Sequence, residues 1–178
     1  MKANNVEELV ELGRQLGAKL KGGEVIELVG DIGAGKTTFV RGMARGLGID
    51  SEITSPSFVV MNSYPARDGL TLNHYDFYRL EDPGIMKTEI AESLADSKNI
   101  TIIEWADSIA GVLPENRQII QINYLPDSDG REVVIRHHEL AAGHPELVSG
   151  SNKLNVARGD SSSDWIPKRI RNDNGDSE

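Results

Sequence analysis

Apolar positions in the first twenty residues recur at helical spacing. Val6, Leu9, Val10, Leu12, Leu16 and Leu20 fall roughly on one face, which predicts an amphipathic helix. Asn5 stands where an N-cap is needed and Glu8 follows three residues on, the spacing of a capping box. Lys21-Gly22-Gly23 then supplies a cation for the last turn and glycines for the exit. The period changes at Val25. Val25-Ile26-Glu27-Leu28-Val29 is a short apolar run that predicts a buried strand. A glycine-rich loop spans Gly30 to Gly35, and helical spacing returns from about Lys36 to Leu47, with Phe39, Val40, Met43, Ala44 and Leu47 turned inward.

The middle of the chain is rich in strand formers. Ser57 to Tyr64 and Leu70 to Tyr78 read as two strands, with Ala66-Arg67-Asp68-Gly69 as the turn between them. Pro83-Gly84 breaks the chain before a helix expected near Met86 to Ala95. Ile100 to Glu104 is a second buried strand, and Ile119 to Tyr124 with Glu132 to Arg136 reads as an antiparallel hairpin around Asp127 to Gly130. Helices alternating with buried strands, plus one hairpin, predict an α/β fold in three layers around a mixed, partly antiparallel sheet. The apolar pattern fades after His138. Residues 139–178 hold only 11 hydrophobic positions in 40, so they are expected to form a polar, disordered or weakly ordered tail beside a domain at residues 1–138. Trp165-Ile166 offers an anchor for a partner, although isolated hydrophobic residues are ordinary.

Composition narrows the classes. The chain of 178 residues carries 19 basic and 28 acidic side chains, a net charge of −9. Such an acidic chain is poorly suited to grip a nucleic-acid backbone by itself, because phosphate contacts need clustered Lys and Arg. The absence of cysteine excludes a disulfide scaffold, a zinc finger, an iron–sulfur centre and a thiol nucleophile. The polar, acidic start lacks a secretory h-region, and no apolar run approaches the ~18 residues of a membrane span, so a cytoplasmic protein without membrane contact is expected.

Within the glycine loop, Gly30-Asp31-Ile32-Gly33-Ala34-Gly35-Lys36-Thr37 fits the phosphate-binding pattern G-x-x-x-x-G-K-[ST] without a gap. Its context fits too, because a buried strand precedes it and a helix follows. Glycines let successive N–H groups turn inward onto phosphate oxygens, and the helix N-terminus adds its positive end. Lys36 is placed to reach the β- and γ-phosphates, the Thr37 hydroxyl to bind Mg²⁺, and Thr38 to bond the α-phosphate. The plainer alternative is a strand–helix turn without a ligand. It leaves a lysine at a helix N-terminus with no anion to justify it.

A nucleotide-bound Mg²⁺ calls for a carboxylate at the end of a neighbouring strand. Glu104 ends one strand and Asp76 lies on another, each with the alternative of being a solvated strand-end acid. His74 shares a face with Asp76 and either polarises a neighbour, helps to bind a metal or is simply a packed, hydrogen-bonded histidine. His137, His138 and His144 lack metal-site spacing. Thr54-Ser55-Pro56-Ser57 is either a capped turn or a γ-phosphate sensor.

Five separated segments match one family in order and spacing: residues 30–49 (GDIGAGKTTFVRGMARGLGI), 54–58 (TSPSF), 74–80 (HYDFYRL), 102–107 (IIEWAD), and Val112-Leu113-Pro114 followed by Gly130-Arg131-Glu132. Over roughly residues 5 to 136 the chain resembles the TsaE family, the ATPase of bacterial tRNA threonylcarbamoyladenosine synthesis. The resemblance implies a P-loop α/β fold, Mg²⁺-dependent ATP binding and slow hydrolysis. It also implies a complex with TsaD and TsaB, which transfer the threonylcarbamoyl group to the adenosine beside the anticodon of tRNAs reading codons that begin with A. Contact with tRNA would then be indirect. By the same likeness, Gly33, Ala34, Gly35, Lys36, Thr37, Thr38 and Ser57 serve the nucleotide, and Asp76 and Glu104 serve the metal or the attacking water. Trp105 lies near the nucleotide, and Gly130, Arg131 and Glu132 lie near its base. Ser57 stands where the family usually has Thr, which keeps the hydroxyl and gives up the stiffer β-branched rotamer.

Two other classes compete. A small-molecule kinase commonly clamps phosphates with an arginine-bearing lid, but only Lys87 and Lys98 lie between Arg79 and Arg117. A GTPase-like switch would use N-K-x-D, and the one Asn-Lys pair, Asn152-Lys153, lacks the Asp. ATP is therefore favoured over GTP. With no arginine finger assigned, hydrolysis is expected to be slow alone and faster on a partner.

Overall fold

The computed structural model describes residues 1–137 apart from Glu81, Pro83 and Asp127. The expected boundary at His138 and the tail at 139–178, with Trp165 and His144, lie outside the described residues.

Seven strands form one sheet: β1 (Lys2–Ala3), β2 (Val25–Val29), β3 (Met61–Pro65), β4 (Thr71–Asp76), β5 (Asn99–Glu104), β6 (Gln118–Tyr124) and β7 (Arg131–His137). Their order is β1-β7-β6-β2-β5-β4-β3. The inner four, β6, β2, β5 and β4, run parallel. β3 pairs antiparallel to β4, and β7 antiparallel to β6, so both flanks are antiparallel. The architecture is the mixed α/β sheet expected, and the hairpin is β6–β7 with Tyr124 opposite Arg131. Inner strands of a parallel sheet are covered on both faces, which is why β2 and β5 read as nearly unbroken apolar runs.

Helices α1 (Val6–Gly17) and α2 (Lys36–Gly46) cover one face, with Leu9, Phe39, Val40 and Met43 buried against Ile26, Leu28, Ile102 and Ile120. Helix α3 (Met86–Ala95) and a 3₁₀ segment at Ala106–Val112 cover the other, around Tyr75, Phe77, Ile90, Ile103 and Ile109. No helix among the described residues is long and apolar enough to cross a membrane.

The N-cap is Asn5, whose Oδ1 accepts from the Glu8 N–H at 2.8 Å. The Glu8 carboxylate reaches the Asn4 N–H, also at 2.8 Å, one residue beyond the reciprocal bond of a strict capping box. Helix α1 stops at Gly17, earlier than its apolar period. The chain continues in tight turn bonds, Lys19 N–H to Leu16 O and Leu20 N–H to Gly17 O, which still bury Leu20. Glycine decides how near the two helices lie. A Cβ on Gly17 would overlap the Met43 backbone, and one on Gly42 would overlap the Val10 carbonyl.

Two strand expectations need correction. Ser57 to Val60 is not strand. Pro56 O accepts the N–H groups of both Val59 and Val60 in a tight turn, and Val60 takes φ 68°, so pairing with β4 begins only at Met61. The next strand is likewise shorter than Leu70 to Tyr78, because β4 ends at Asp76, whose carboxylate accepts the Tyr78 N–H and turns the chain out of the sheet. A short β1 was not expected at all. Two residues carry no period, and they are held by the Met1 N–H groups and the Val133 backbone.

The helix contact has a testable consequence. Alanine is the better helix former by about 1 kcal/mol, yet Gly17→Ala and Gly42→Ala should each lower unfolding stability by about 2 kcal/mol because the added methyl meets backbone. Gly111→Ala, whose added methyl meets no atom within 4 Å, should change it by less than ~0.5 kcal/mol. Urea unfolding of the three variants separates packing from propensity.

Candidate functional site

The site lies where β2, β5 and β4 end. Ligand clefts in parallel sheets form beyond the carboxyl ends of the strands, and here three consecutive neighbours deliver their last residues to one place. The loop leaves β2 at Gly30 and enters α2 at Lys36. It needs left-handed backbone at Gly33 (φ 79°) and Gly35 (φ 102°), conformations that glycine adopts without strain. Helix α2 has no side-chain N-cap and no acid in its first turn, so its first N–H groups face the loop unspent.

A cleft of about 440 Å³ opens over this loop. Gly33, Gly35, Lys36, Thr37, Thr38 and Ser57 line it, as do Asp76, Glu104 and Trp105. Lys36 is only 7 % exposed. Its Nζ donates to the carbonyls of Gly30 at 2.9 Å and Asp31 at 3.1 Å. The same atom lies 3.7 Å from Glu104 Oε2 and 4.8 Å from the centre of the Trp105 ring. The lysine is thus folded against its own loop, and each contact offers negative charge or a π face to a cation at the positive end of a helix.

Glu104 and Asp76 are direct partners across the parallel pair β4–β5. Both carboxylates are buried. His74 Nε2 lies 3.0 Å from Glu104 Oε1, so each Glu104 oxygen has its own neighbour, the imidazole on one side and Lys36 on the other. The Nε2–H tautomer makes this contact a hydrogen bond, and the ring's other nitrogen, Nδ1, has no partner among the described residues. Of the two readings of His74, packed or polarising, the geometry joins both. The ring is fully buried and it also orients a carboxylate.

Asp76 is served by hydroxyls. Ser57 Oγ donates to Asp76 Oδ2, and Ser55 Oγ donates to the same oxygen at 3.3 Å. Asp76 Oδ1 accepts from the Tyr78 N–H at 2.9 Å. The segment read as either a capped turn or a sensor is therefore tied by two hydroxyls to a carboxylate in the cleft. Trp105 follows Glu104 with φ 57°, ψ 54°, a left-handed conformation unusual for an aromatic residue. Its ring packs on Tyr78 at 5.0 Å.

The remaining expected residues lie around the loop rather than in the cleft lining. Ala34 is buried behind it. Arg131 donates from Nε to the Ala34 carbonyl at 2.8 Å and from Nη1 to Asp129 O and Gly130 O, and it stacks 4.1 Å over Tyr124. It braces the loop from outside. Glu132 lies on β7 opposite Lys2, and Gly130 sits where a Cβ would press on the Ala3 carbonyl. Sequence reasoning overlooked Tyr78, Arg79 and Phe58, which also line the cleft. The only signal for them was their position inside the HYDFYRL and TSPSF segments.

The chain matches the family described as threonylcarbamoyl adenosine biosynthesis protein TsaE over residues 3–133. It is 36% identical over 133 residues to the tRNA threonylcarbamoyladenosine biosynthesis protein TsaE of Treponema pallidum, covering 75% of this chain and 96% of that protein. It is 38% identical over 130 residues to the protein of the same name from Bacillus subtilis, covering 72% and 79%. The crystal structure of Bacillus subtilis YdiB is similar with a TM-score of 0.59 at 34% identity, covering 75% of this chain and 80% of that one. With the strand order and a glycine loop running into Lys36-Thr37 already in place, this similarity across most of its length means that the chain belongs to the TsaE family, whose proteins take part in tRNA threonylcarbamoyladenosine biosynthesis.

Proposed function

We propose that the chain is a Mg²⁺-dependent ATPase that binds ATP and hydrolyses it slowly, and that it supports turnover of the TsaD–TsaB transferase in modifying the adenosine next to the anticodon of tRNAs that read codons beginning with A. The observation that carries this reading is a convergence. Lys36-Thr37, Asp76 and Glu104, from three separate segments of the sequence, line one cleft above an uncapped helix N-terminus. An uncapped N-terminus with a lysine beside it suits a phosphate chain, whose charge answers both.

The donors also fit Mg²⁺. Thr37, Asp76 and Glu104 offer only oxygen, which a hard cation prefers. Among the described residues no cluster of three or more His, Asp or Glu could cage a metal by itself. That suits an ion held jointly by a few side chains and by substrate phosphates. Bound there, Mg²⁺ would offset charge on the phosphate oxygens.

In the proposed reaction a water oxygen bonds to the γ-phosphorus while the bond to the β,γ-bridging oxygen breaks. The electron pair leaves on ADP, and the water's proton ends on the released phosphate. Glu104, oriented by His74, would hold the water or the metal. Lys36 turns from its loop carbonyls to the phosphates. Asp76, which accepts from the Ser55 and Ser57 hydroxyls, would help to hold the metal or the water. Trp105 borders the nucleotide, and Gly130, Arg131 and Glu132 lie outside the cleft lining, near the base end of the nucleotide. With a net charge of −9, the chain is suited to dock on protein partners that hold the tRNA themselves. Residues 1–138 carry the activity, and the remaining residues are dispensable for hydrolysis.

Lys36→Ala should weaken ATP binding by about a hundredfold or more, since a nearly buried cation and its phosphate contacts are removed together. Calorimetric titration with ATP and Mg²⁺ checks it, and retained affinity would remove the loop from the site. Glu104→Gln should leave ATP affinity within about threefold and lower turnover by about a hundredfold. The pathway reading is tested by phosphate release alone and with purified TsaD–TsaB, using Lys36→Ala as the blank. Stimulation that the blank lacks is expected, and equal rates with and without the pair would sink it.

A further inference from the structure

Two arginines approach the glycine loop, and they are used differently. Arg131 spends its donors on backbone carbonyls and holds the loop in shape. Arg79 spends none. It is the one arginine among the residues lining the cleft, it is exposed, and no donor of its guanidinium has a hydrogen-bond or ion-pair partner among the described residues. Its guanidinium carbon lies 4.6 Å over the ring of Phe58, which is itself 83 % exposed. An exposed cation–π contact of this kind is weak, and an anionic phosphate is a far better partner for a five-donor fork.

The backbone around this pair is fixed. Asp76 Oδ1 takes the Tyr78 N–H, the residue before Arg79, and Leu80 N–H bonds back to Phe77 O at 3.0 Å. Phe58 follows Ser57, whose hydroxyl is on the other oxygen of the same aspartate. Asp76 therefore anchors both the arginine and the ring it rests on, at the rim of the cleft that also holds Lys36 and Glu104. Arg79 lines the same cleft as Gly33, Gly35 and Lys36 of the loop.

We propose that Arg79 is the arginine of this chain that stabilises charge on the transferring γ-phosphoryl group in cis, and that Phe58 is its resting place between turnovers. This rests on the ATPase reading above. In that step the bond to the bridging oxygen breaks and charge gathers on it and on the equatorial phosphoryl oxygens. A planar fork of N–H donors meets that charge in a way a lysine cannot. Ground-state ATP binding does not need Arg79, because the loop and Lys36 provide it. The rest on Phe58 keeps the unstimulated rate low.

The test measures single-turnover hydrolysis and ATP affinity for the full chain and for Arg79→Ala, Arg79→Lys, Phe58→Ala and the Phe58/Arg79 double alanine variant. Both residues are exposed, so thermal unfolding should move little. Arg79→Ala should lose about tenfold or more in rate, with ATP affinity within about threefold of the parent. Arg79→Lys should recover only a small part of the loss. Phe58→Ala should hydrolyse about two- to fivefold faster, because the competing contact is gone. The double variant should match Arg79→Ala. Parental turnover in Arg79→Ala would overturn the proposal. So would a loss of ATP affinity as large as that of Lys36→Ala, because Arg79 would then serve binding alone. A slower Phe58→Ala would overturn the resting role. Failure of the ATPase reading looks different: the parent chain would then neither bind nor hydrolyse ATP, and the proposal would fall with it.

Discussion

The site depends on an electrostatic conflict at Lys36. A helix N-terminus carries about half a positive charge and repels a cation placed in its first turn. Lys36 opens α2 and is nearly buried there. The structure resolves the conflict with carbonyls of its own loop, a carboxylate from β5 and the face of Trp105. Each compensation constrains a different part of the chain. The carbonyls require the loop to curl, the carboxylate requires β5 beside β2, and the indole requires the strained turn after Glu104. A lysine that needs this much support is better explained by an anion to come than by the support itself.

That arrangement requires the loop to be rigid, and the rigidity comes from a distance. α1 packs directly on α2 through glycine, so the helix behind the loop cannot drift away from the sheet. Arg131 ties the loop's outer side to the β6–β7 hairpin through the Ala34 carbonyl. Tyr124, on the same hairpin, carries the guanidinium on its ring. The hairpin therefore contributes to the site without lining it. Binding sites hold their geometry when the groups around them are locked by packing and by further hydrogen bonds.

Most of the fold was legible because it rests on local periodicity. The two helices flanking β2, the helix after Gly84 and the β6–β7 hairpin follow directly from apolar spacing and turn residues. What escaped depends on tertiary partners. The run from Ser57 to Val60 has strand-like composition, yet Pro56 and the positive φ of Val60 turn it outward, leaving Phe58 exposed. β1 exists only because β7 is there to pair with it. The site divides the same way. Lys36 and Thr37 carry a pattern that names its own chemistry. Asp76 and Glu104 were candidates by strand position, and only the parallel register of β4 against β5 sets them side by side. Arg79 was marked only by its place in the HYDFYRL segment, since nothing in a sequence says which ring a cation lies on.

The register also explains why the two carboxylates tolerate each other. Side chains alternate across a strand, so a slip of one residue in β4 would send Asp76 to the opposite face and bring a neighbour opposite Glu104. In the observed register two like charges lie together, an arrangement that costs stability unless other groups offset it. Their support is unequal. Glu104 has an imidazole and an ammonium, whereas Asp76 has two hydroxyls and one backbone N–H. Hydroxyls are rotatable and can be exchanged for a stronger partner at little cost, while the Glu104 contacts come from the core. One carboxylate is thus fixed and the other is free to change partners. A stronger partner at Asp76 Oδ2 would compete with Ser55 and Ser57, and by displacing them it would loosen the segment that carries Phe58. A single aspartate thus ties the segment before Phe58 and the chain before Arg79 to the same point in the cleft.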